Sequence, residues 1–184
     1  MRVISGKARG LKLNPPKNNE IRPTTDRVKE SMFNIINEDV YDSVVLDLFA
    51  GSGGLGIEAL SRNAKECVFV DLKKDSIEVL RSNIKKARVE NESKILNCSC
   101  FDAIKKLSGQ TFDIIFMDPP YFENLFVQTL EEISNTNLLS EDGMIVVEHD
   151  SKEKLDDEIN NLEKYKSKKY GNTTLSFYAL KDGE

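Results

Sequence analysis

The chain has 184 residues, of which 39% are hydrophobic and 31% are charged, a composition typical of a globular protein with one hydrophobic core. No apolar run approaches the length of a membrane-spanning helix and no signal peptide opens the sequence, so we expect a cytoplasmic protein that does not contact a membrane. The three cysteines form no Cys-x-x-Cys pair, which argues against a disulfide framework and a zinc site, and no metal is expected.

Residues 1–24 are predicted to form a basic extension that contacts the substrate. The pattern predicts a β-hairpin over residues 2–13, then a loop, then a helix capped by Thr24 or Thr25. The net charge is −5, yet residues 1–30 contain eight basic and three acidic side chains, which indicates a local site for phosphates. The side chains expected to face the substrate are Arg2, Lys7, Arg9, Lys12 and Arg22. A merely solvated extension, or an ion pair between Arg22 and an acid of the main domain, is the alternative.

Residues 25–184 are predicted to form the main domain, an α/β fold with a mostly parallel, seven-stranded sheet and helices on both faces. Short apolar runs predict strands at 44–49, 67–71, 95–98, 112–117 and 143–148, with helices between them. A further helix is predicted at 152–162. Two antiparallel strands at 165–170 and 174–180 are expected to close one edge of the sheet.

A glycine-rich loop follows the first buried strand and predicts a nucleotide site. Residues 51–56 match G-x-G-x-x-G between a strand and a helix, and Asp71 ends the next strand, where it can accept from both ribose hydroxyls. This pattern fits a dinucleotide or S-adenosylmethionine. Asp47 favours the second, because it would attract a cationic amino acid group and repel a pyrophosphate, and Asp102 beside Phe101 is placed to accept from an adenine amino group. Alternatively, Asp47 caps the backbone of the loop and Asp102 caps a short helix.

The apolar strand at 112–117 leads into Asp118, Pro119, Pro120 and Tyr121. In an open α/β sheet, ligands bind at the carboxyl ends of strands. The carboxylate of Asp118 and the carbonyl of Pro119 can both accept from one planar amino group, and the ring of Tyr121 can stack on its plane. The stretch therefore predicts a site for the exocyclic amine of a nucleobase or for an amide, although an ordinary exit from a strand is the alternative.

Two of these motifs together resemble a known class of enzyme. The stretch from Asp47 to Gly53, taken with residues 118–121, resembles the class I methyltransferases that methylate exocyclic amines. Residues 2–6, 22–34 and 173–178 are similar to the bacterial 16S ribosomal RNA guanine-N2-methyltransferases, so the resemblance extends over nearly the whole chain.

The resemblance implies a Rossmann-like class I methyltransferase that uses S-adenosylmethionine to methylate a guanine of 16S rRNA, in a small ribosomal subunit or an assembly intermediate. The catalytic residues it implies are Asp118, Pro119 and Tyr121, with Pro120 and Tyr121 also contacting the substrate. The cofactor residues it implies are Asp47, Phe49, Gly51, Ser52, Gly53, Asp71, Leu72, Phe101 and Asp102. A monomer is expected.

Other functions fit part of the pattern. The Asp-Pro-Pro-Tyr stretch also suits a methyltransferase for the N6 amine of adenine or for a glutamine side chain. A nicotinamide-dependent dehydrogenase would share the glycine loop, but no acid for hydride transfer is visible. A non-catalytic RNA-binding module would not need the intact tetrad. The single histidine, His149, has no second metal ligand near it in sequence and is expected to be structural.

Overall fold

The computed structural model describes residues 1–15, 25–119 and 125–181. Arg22, Pro120 and Tyr121 lie outside the described residues, and so does the predicted loop before the first helix. No helix in the described part of the chain is long and apolar enough to cross a membrane.

The described residues form five α-helices and one mixed sheet. The helices are α1 (Asp26–Ile35), α2 (Gly54–Ser61), α3 (Lys74–Ala87), α4 (Cys100–Lys106) and α5 (Leu125–Ser134). The strands are β1 (Val44–Asp47), β2 (Glu66–Asp71), β3 (Ser93–Asn97), β4 (Phe112–Met117), β5 (Leu139–Asp150), β6 (Glu158–Ile159), β7 (Leu162–Tyr170) and β8 (Thr173–Leu180). Their order is β3-β2-β1-β4-β5-β8-β7-β6, and the first five are parallel. The mostly parallel sheet with an antiparallel edge is thus confirmed.

The predicted helix at 152–162 is wrong, and the described sheet has eight strands rather than seven. Leu155, Ile159 and Leu162 are buried in one core, and their spacing of four and three residues imitates a helical face. In the structure, Ile159 pairs with Leu162 across a two-residue turn in which Asn160 has φ +53°, a conformation that asparagine tolerates. The turn folds this segment back as the short strand β6 instead of a helix.

The predicted N-terminal hairpin is reduced to a single bridge. Arg2 pairs with Lys12, and the backbone N–H of Val3 donates to the carbonyl of Leu11 over 2.9 Å. The side chains of Val3 and Leu13 are buried in the core that α1, α2 and α3 share. The predicted cap is confirmed, because the side chain of Thr25 accepts from the N–H of Val28 at the start of α1.

Helices cover both faces of the sheet. On one face α1, α2 and α3 pack on the sheet, where Phe33 of α1 lies 5.6 Å from Phe116 of β4 between ring centroids. On the other face α4 and α5 pack through residues such as Ile104 and Leu130. Both faces of the parallel strands are therefore buried, which explains why the strands are continuous apolar runs. The polar residues at the strand ends remain available for a site at the carboxyl edge.

Candidate active site

The sheet brings three predicted site residues to its carboxyl edge. Asp47 of the central strand β1 is paired with Phe69 of β2 on one side and Phe116 of β4 on the other. Asp71 and Asp118 each follow these partners by two residues. Side chains alternate along a strand and neighbouring strands lie about 4.8 Å apart, so the three carboxylates project from the same end of adjacent strands.

The glycine loop has a backbone that requires glycine. Gly51 and Gly53 have φ of +53° and +85°, in the left-handed region. A Cβ at Gly53 would lie 2.5 Å from a methyl carbon of Leu80, whereas a Cβ at Gly51 would meet no described atom within 4 Å. Ser52 is buried, and its carbonyl accepts from the side-chain amide of Asn83 over 2.8 Å. Helix α3 therefore fixes the loop from behind and leaves open space on the side of Gly51.

Asp71 links the glycine loop to the end of β2. Its two carboxylate oxygens accept from the backbone N–H of Gly51 over 2.9 Å and of Lys73 over 2.8 Å. The side-chain amide of Asn97 donates to the carbonyls of Asp71 and Leu72. Leu72 is 68% exposed, which is unusual for a large apolar side chain. Each carboxylate oxygen can accept a second hydrogen bond, and ribose binding by Asp71 stays a prediction.

Asp47 lies below the loop and is only 2% exposed. Burial raises its pKa to about 7, although backbone N–H groups of Gly56 and Phe49 favour the ionised form. Its Oδ2 accepts from the N–H of Gly56 over 3.1 Å. The alternative in which Asp47 caps the loop backbone therefore occurs in the structure, and contact with a cationic group of a ligand stays a prediction.

Asp102 and Phe101 begin α4 beside the same edge. Ser99 caps this helix, because its side chain accepts from the N–H of Asp102 over 3.1 Å, and its hydroxyl donates to the carboxylate of Asp102 over 2.8 Å. Asp102 is exposed, while Phe101 and Phe49 are partly buried against the core under α4 and α5. Asp102 therefore supports the cap rather than forming it, and its contact with adenine stays a prediction.

Asp118 and Pro119 directly follow β4, and their placement matches the prediction from sequence. Asp118 is half-buried and Pro119 is buried. The stacking ring and the second proline of the tetrad lie outside the described residues. The acceptor half of the predicted amine site is thus placed at the carboxyl edge, two strands away from Asp71.

The predicted basic residues lie at two ends of the N-terminal segment. Arg2 forms an exposed ion pair with Asp26, with 3.2 Å between Nε and Oδ2. The backbone of Arg2 also forms the β-bridge with the backbone of Lys12. Lys7 and Arg9 are exposed at the turn, where the N–H of Lys7 donates to the carbonyl of Ser61, the last residue of α2. Since α2 starts at the glycine loop and eight helical residues span about 12 Å, the turn lies one helix length from that loop.

A buried acid that the sequence analysis did not identify anchors the N-terminal segment to α2. Glu58 is fully buried, and its carboxylate forms ion pairs with Lys29 (3.0 Å) and Arg62 (2.9 Å). It also accepts from the backbone N–H of Ile4 over 2.7 Å and of Ser5 over 3.0 Å. The available signal was its position within the otherwise apolar stretch of α2, all of which is buried.

Comparison with known proteins identifies the family. The model of the family described as "Conserved hypothetical protein 95" matches residues 1–179. The chain belongs to this family. It is 40% identical over 182 residues to a Bacillus subtilis protein named "Putative rRNA methyltransferase YlbH", an alignment that covers 97% of this chain and 98% of the relative. It is 41% identical over 151 residues to "Ribosomal RNA small subunit methyltransferase D" of Haemophilus influenzae, covering 80% and 78% of the two chains.

The fold of the family member is that of the class I methyltransferases. A solved structure of an Escherichia coli protein, described as "Putative methyltransferase yhhF", superposes with a TM-score of 0.87 and 28% identity and covers 98% of both chains. The predicted fold class is therefore confirmed. The resemblance found in the sequence is confirmed at the level of the family.

Proposed function

We propose that the protein transfers a methyl group from S-adenosylmethionine to the exocyclic N2 amine of a guanine in 16S rRNA of the small ribosomal subunit. One observation carries the proposal: Asp118 and Pro119 directly follow β4 on the same edge of the sheet as the glycine loop and Asp71. This edge offers a nucleotide site and an acceptor pair for an amine side by side. The relatives named as rRNA methyltransferases support RNA as the substrate.

The residues at the edge suit S-adenosylmethionine. The open space beside Gly51 and the exposed apolar surface of Leu72 provide room and contact area next to the carboxylate of Asp71. In the proposal, Asp71 accepts from the ribose hydroxyls, and Asp47 lies under the loop with Phe49 and Ser52 near the amino acid end. Phe101 and Asp102 contact the adenine. The cofactor supplies a methyl group that its sulfonium has already activated.

The protein contributes positioning rather than acid or base chemistry. Asp118 and the carbonyl of Pro119 would each accept an N–H of the guanine amine, which orients the nitrogen lone pair toward the methyl group. Alignment of this kind contributes about 7–11 kcal/mol to lowering a barrier. Stacking of an extruded base on Tyr121, as the sequence predicts, would add about 1–3 kcal/mol of binding. The N6 amine of adenine and a glutamine amide could use the same two acceptors, so the acceptors do not distinguish these substrates. The choice of guanine rests on the family resemblance.

Methyl transfer with a carboxylate variant tests this proposal. Purified protein, radiolabelled S-adenosylmethionine and unmethylated small ribosomal subunits should give labelled 16S rRNA. Asp118→Ala should reduce the rate by at least a hundredfold, because the amine then loses the carboxylate that accepts its N–H. Asp142→Ala is the matched control, since Asp142 is an exposed acid on β5. Wild-type rates in the Asp118 variant, or label in ribosomal protein rather than rRNA, would contradict the proposal.

A further inference from the structure

Strand β7 exposes a row of lysines on an open edge of the sheet. Lys166, Lys168 and Lys169, the β7 lysine row, are exposed, and within the described residues none of them forms an ion pair. Strand β6 covers β7 only at its first two residues, so the edge beyond them has no described strand partner. Side chains alternate along a strand, so Lys166 and Lys168 point to one face and Lys169 to the other. The positive charge therefore surrounds the open edge.

The pairing register places this row level with the proposed catalytic residue. Met117 of β4 pairs with Val147 of β5, Val147 pairs with Ser176 of β8, and Ser176 pairs with Ser167 of β7. Strands β4 and β7 run in the same direction, and Lys168 follows Ser167 as Asp118 follows Met117. Three strand intervals of about 4.8 Å put the row about 14 Å from Asp118 along the carboxyl edge.

A purely structural role explains only part of this arrangement. Lysines on an exposed edge strand prevent pairing with other chains. Protection of that kind is served by charged side chains of either sign, yet residues 165–170, which β6 leaves uncovered, carry cations only, whereas Lys164 is paired with Asp157 over 2.7 Å and Glu163 is acidic. The unpaired cations lie in the half nearest the carboxyl edge, on a chain whose net charge is −5. Lys168 lies over the ring of Tyr170, 5.5 Å from its centroid, but no acid in the described part of the chain pairs with the row. A basic cluster without acidic partners among the described residues of an acidic protein suits a polyanion.

We propose that the β7 lysine row binds backbone phosphates of the RNA strand that carries the target nucleotide; this inference rests on the proposed function. Along the axis of a duplex the phosphates of one strand are spaced about 3.4 Å apart, so 14 Å corresponds to at most about four nucleotides. A strand whose target base reaches Asp118 crosses the row within that distance if it follows the carboxyl edge toward β7. The turn with Lys7 and Arg9, in contrast, lies at the far end of α2.

Binding to small ribosomal subunits at several salt concentrations tests the inference. The triple variant Lys166→Gln, Lys168→Gln and Lys169→Gln keeps polar side chains on the edge and removes the charge. Because three lysine–phosphate pairs would be absent, the magnitude of the negative slope of log K against log[salt] should fall by about 2.1–2.7, which is about 0.7–0.9 for each phosphate. The triple Lys→Arg variant should keep the wild-type slope. Lys105→Gln with Lys106→Gln is the control, because these exposed lysines lie in the last turn of α4, which runs from the carboxyl end of β3 toward the amino end of β4 and so ends away from the carboxyl edge.

The outcomes separate this inference from the proposed function. A wild-type slope in the triple Gln variant, with wild-type methylation of rRNA, would refute phosphate binding by the β7 lysine row and leave the proposed function intact. An equal loss in the Gln and Arg variants would also overturn it, because charge would not be the cause. If the triple Gln variant melts early, each single Gln variant should lower the magnitude of the slope by about 0.7–0.9. Failure of the unaltered protein to methylate rRNA would instead refute the proposed function.

Discussion

Replacing Glu58 with Gln is expected to destabilise the fold more than any other single change of an acid to its amide. In the structure the carboxylate faces only donors: the cations of Lys29 and Arg62 and two backbone N–H groups of the N-terminal segment. The Gln side chain can present one acceptor oxygen, and its amide nitrogen must then face another donor. Lys29 has 0% exposure, and burial lowers its pKa, so it cannot turn to water when its partner is neutral.

The size of the effect follows from the burial of the pair. Removing one partner of a buried ion pair typically costs about 3–5 kcal/mol. For a chain of this length, 1 kcal/mol lowers the melting temperature by about 2–4 °C, which gives a fall of about 6–20 °C. Urea unfolding followed by circular dichroism measures the free energy directly. The exposed Glu131 of α5 is the control, and Glu131→Gln should change the free energy of unfolding by less than about 0.5 kcal/mol.

A second substitution separates charge from shape. In Glu58→Gln with Lys29→Met the buried cation is absent, so the double variant should be more stable than Glu58→Gln alone. A loss below about 1 kcal/mol in Glu58→Gln would show that the buried ion pair does not anchor the N-terminal segment. A double variant no more stable than Glu58→Gln would refute the charge argument.

Three further predictions concern the edge of the sheet. Asp71→Ala should weaken S-adenosylmethionine binding at least tenfold in calorimetry, since hydrogen bonds to charged groups contribute about 1.5–3 kcal/mol, while Asp142→Ala should not. Because the pKa of Asp47 is raised to about 7, its ionisation destabilises the fold, and this cost appears as the pH rises above 3.8 and is complete above 7. Asp47→Asn should therefore stabilise the free protein by up to about 4 kcal/mol at pH 8 and by little at pH 4. If the substitution changed the free energy of unfolding equally at both pH values, the carboxylate would not have the raised pKa of a buried group. Gly53→Ala should destabilise by about 2–4 kcal/mol, more than Gly109→Ala, which has a similar positive φ but open space around it; equal losses would exclude the clash with α3.

The buried parallel strands were predictable because they carry their own signal. Residues 112–117 form β4 with the predicted bounds, since a strand covered on both faces is a continuous apolar run and Pro119 cannot extend it. The helix predicted at 152–162 was wrong because the apolar spacing of this segment suits a helix. The turn at Asn160 becomes evident only from the contacts of the segment with the core. A local sequence pattern identifies an element well when that element's burial is evident from its own run of apolar residues.

Contacts between residues far apart in the chain could not be predicted from the sequence. A glutamate on a helix is normally exposed, and nothing adjacent to Glu58 indicates that Lys29 and the first residues of the chain will meet it. Asp47 and Asp102 were placed correctly at the edge, yet a carboxylate that caps a backbone and one that binds a ligand use the same lone pairs, so residue type could not separate the two roles. The level position of Lys168 and Asp118 depends on the order of four strands, which no local window contains.

Mapping the modified nucleoside tests the central claim most directly. Small ribosomal subunits from a strain that lacks this protein would be incubated with the purified protein and S-adenosylmethionine, and the 16S rRNA would be digested and examined by mass spectrometry. The account predicts that one guanosine is unmethylated in the starting particles and becomes N2-methylguanosine only when the protein is added. Absence of any new methyl group, or a methyl group on the N6 amine of an adenosine, would contradict it.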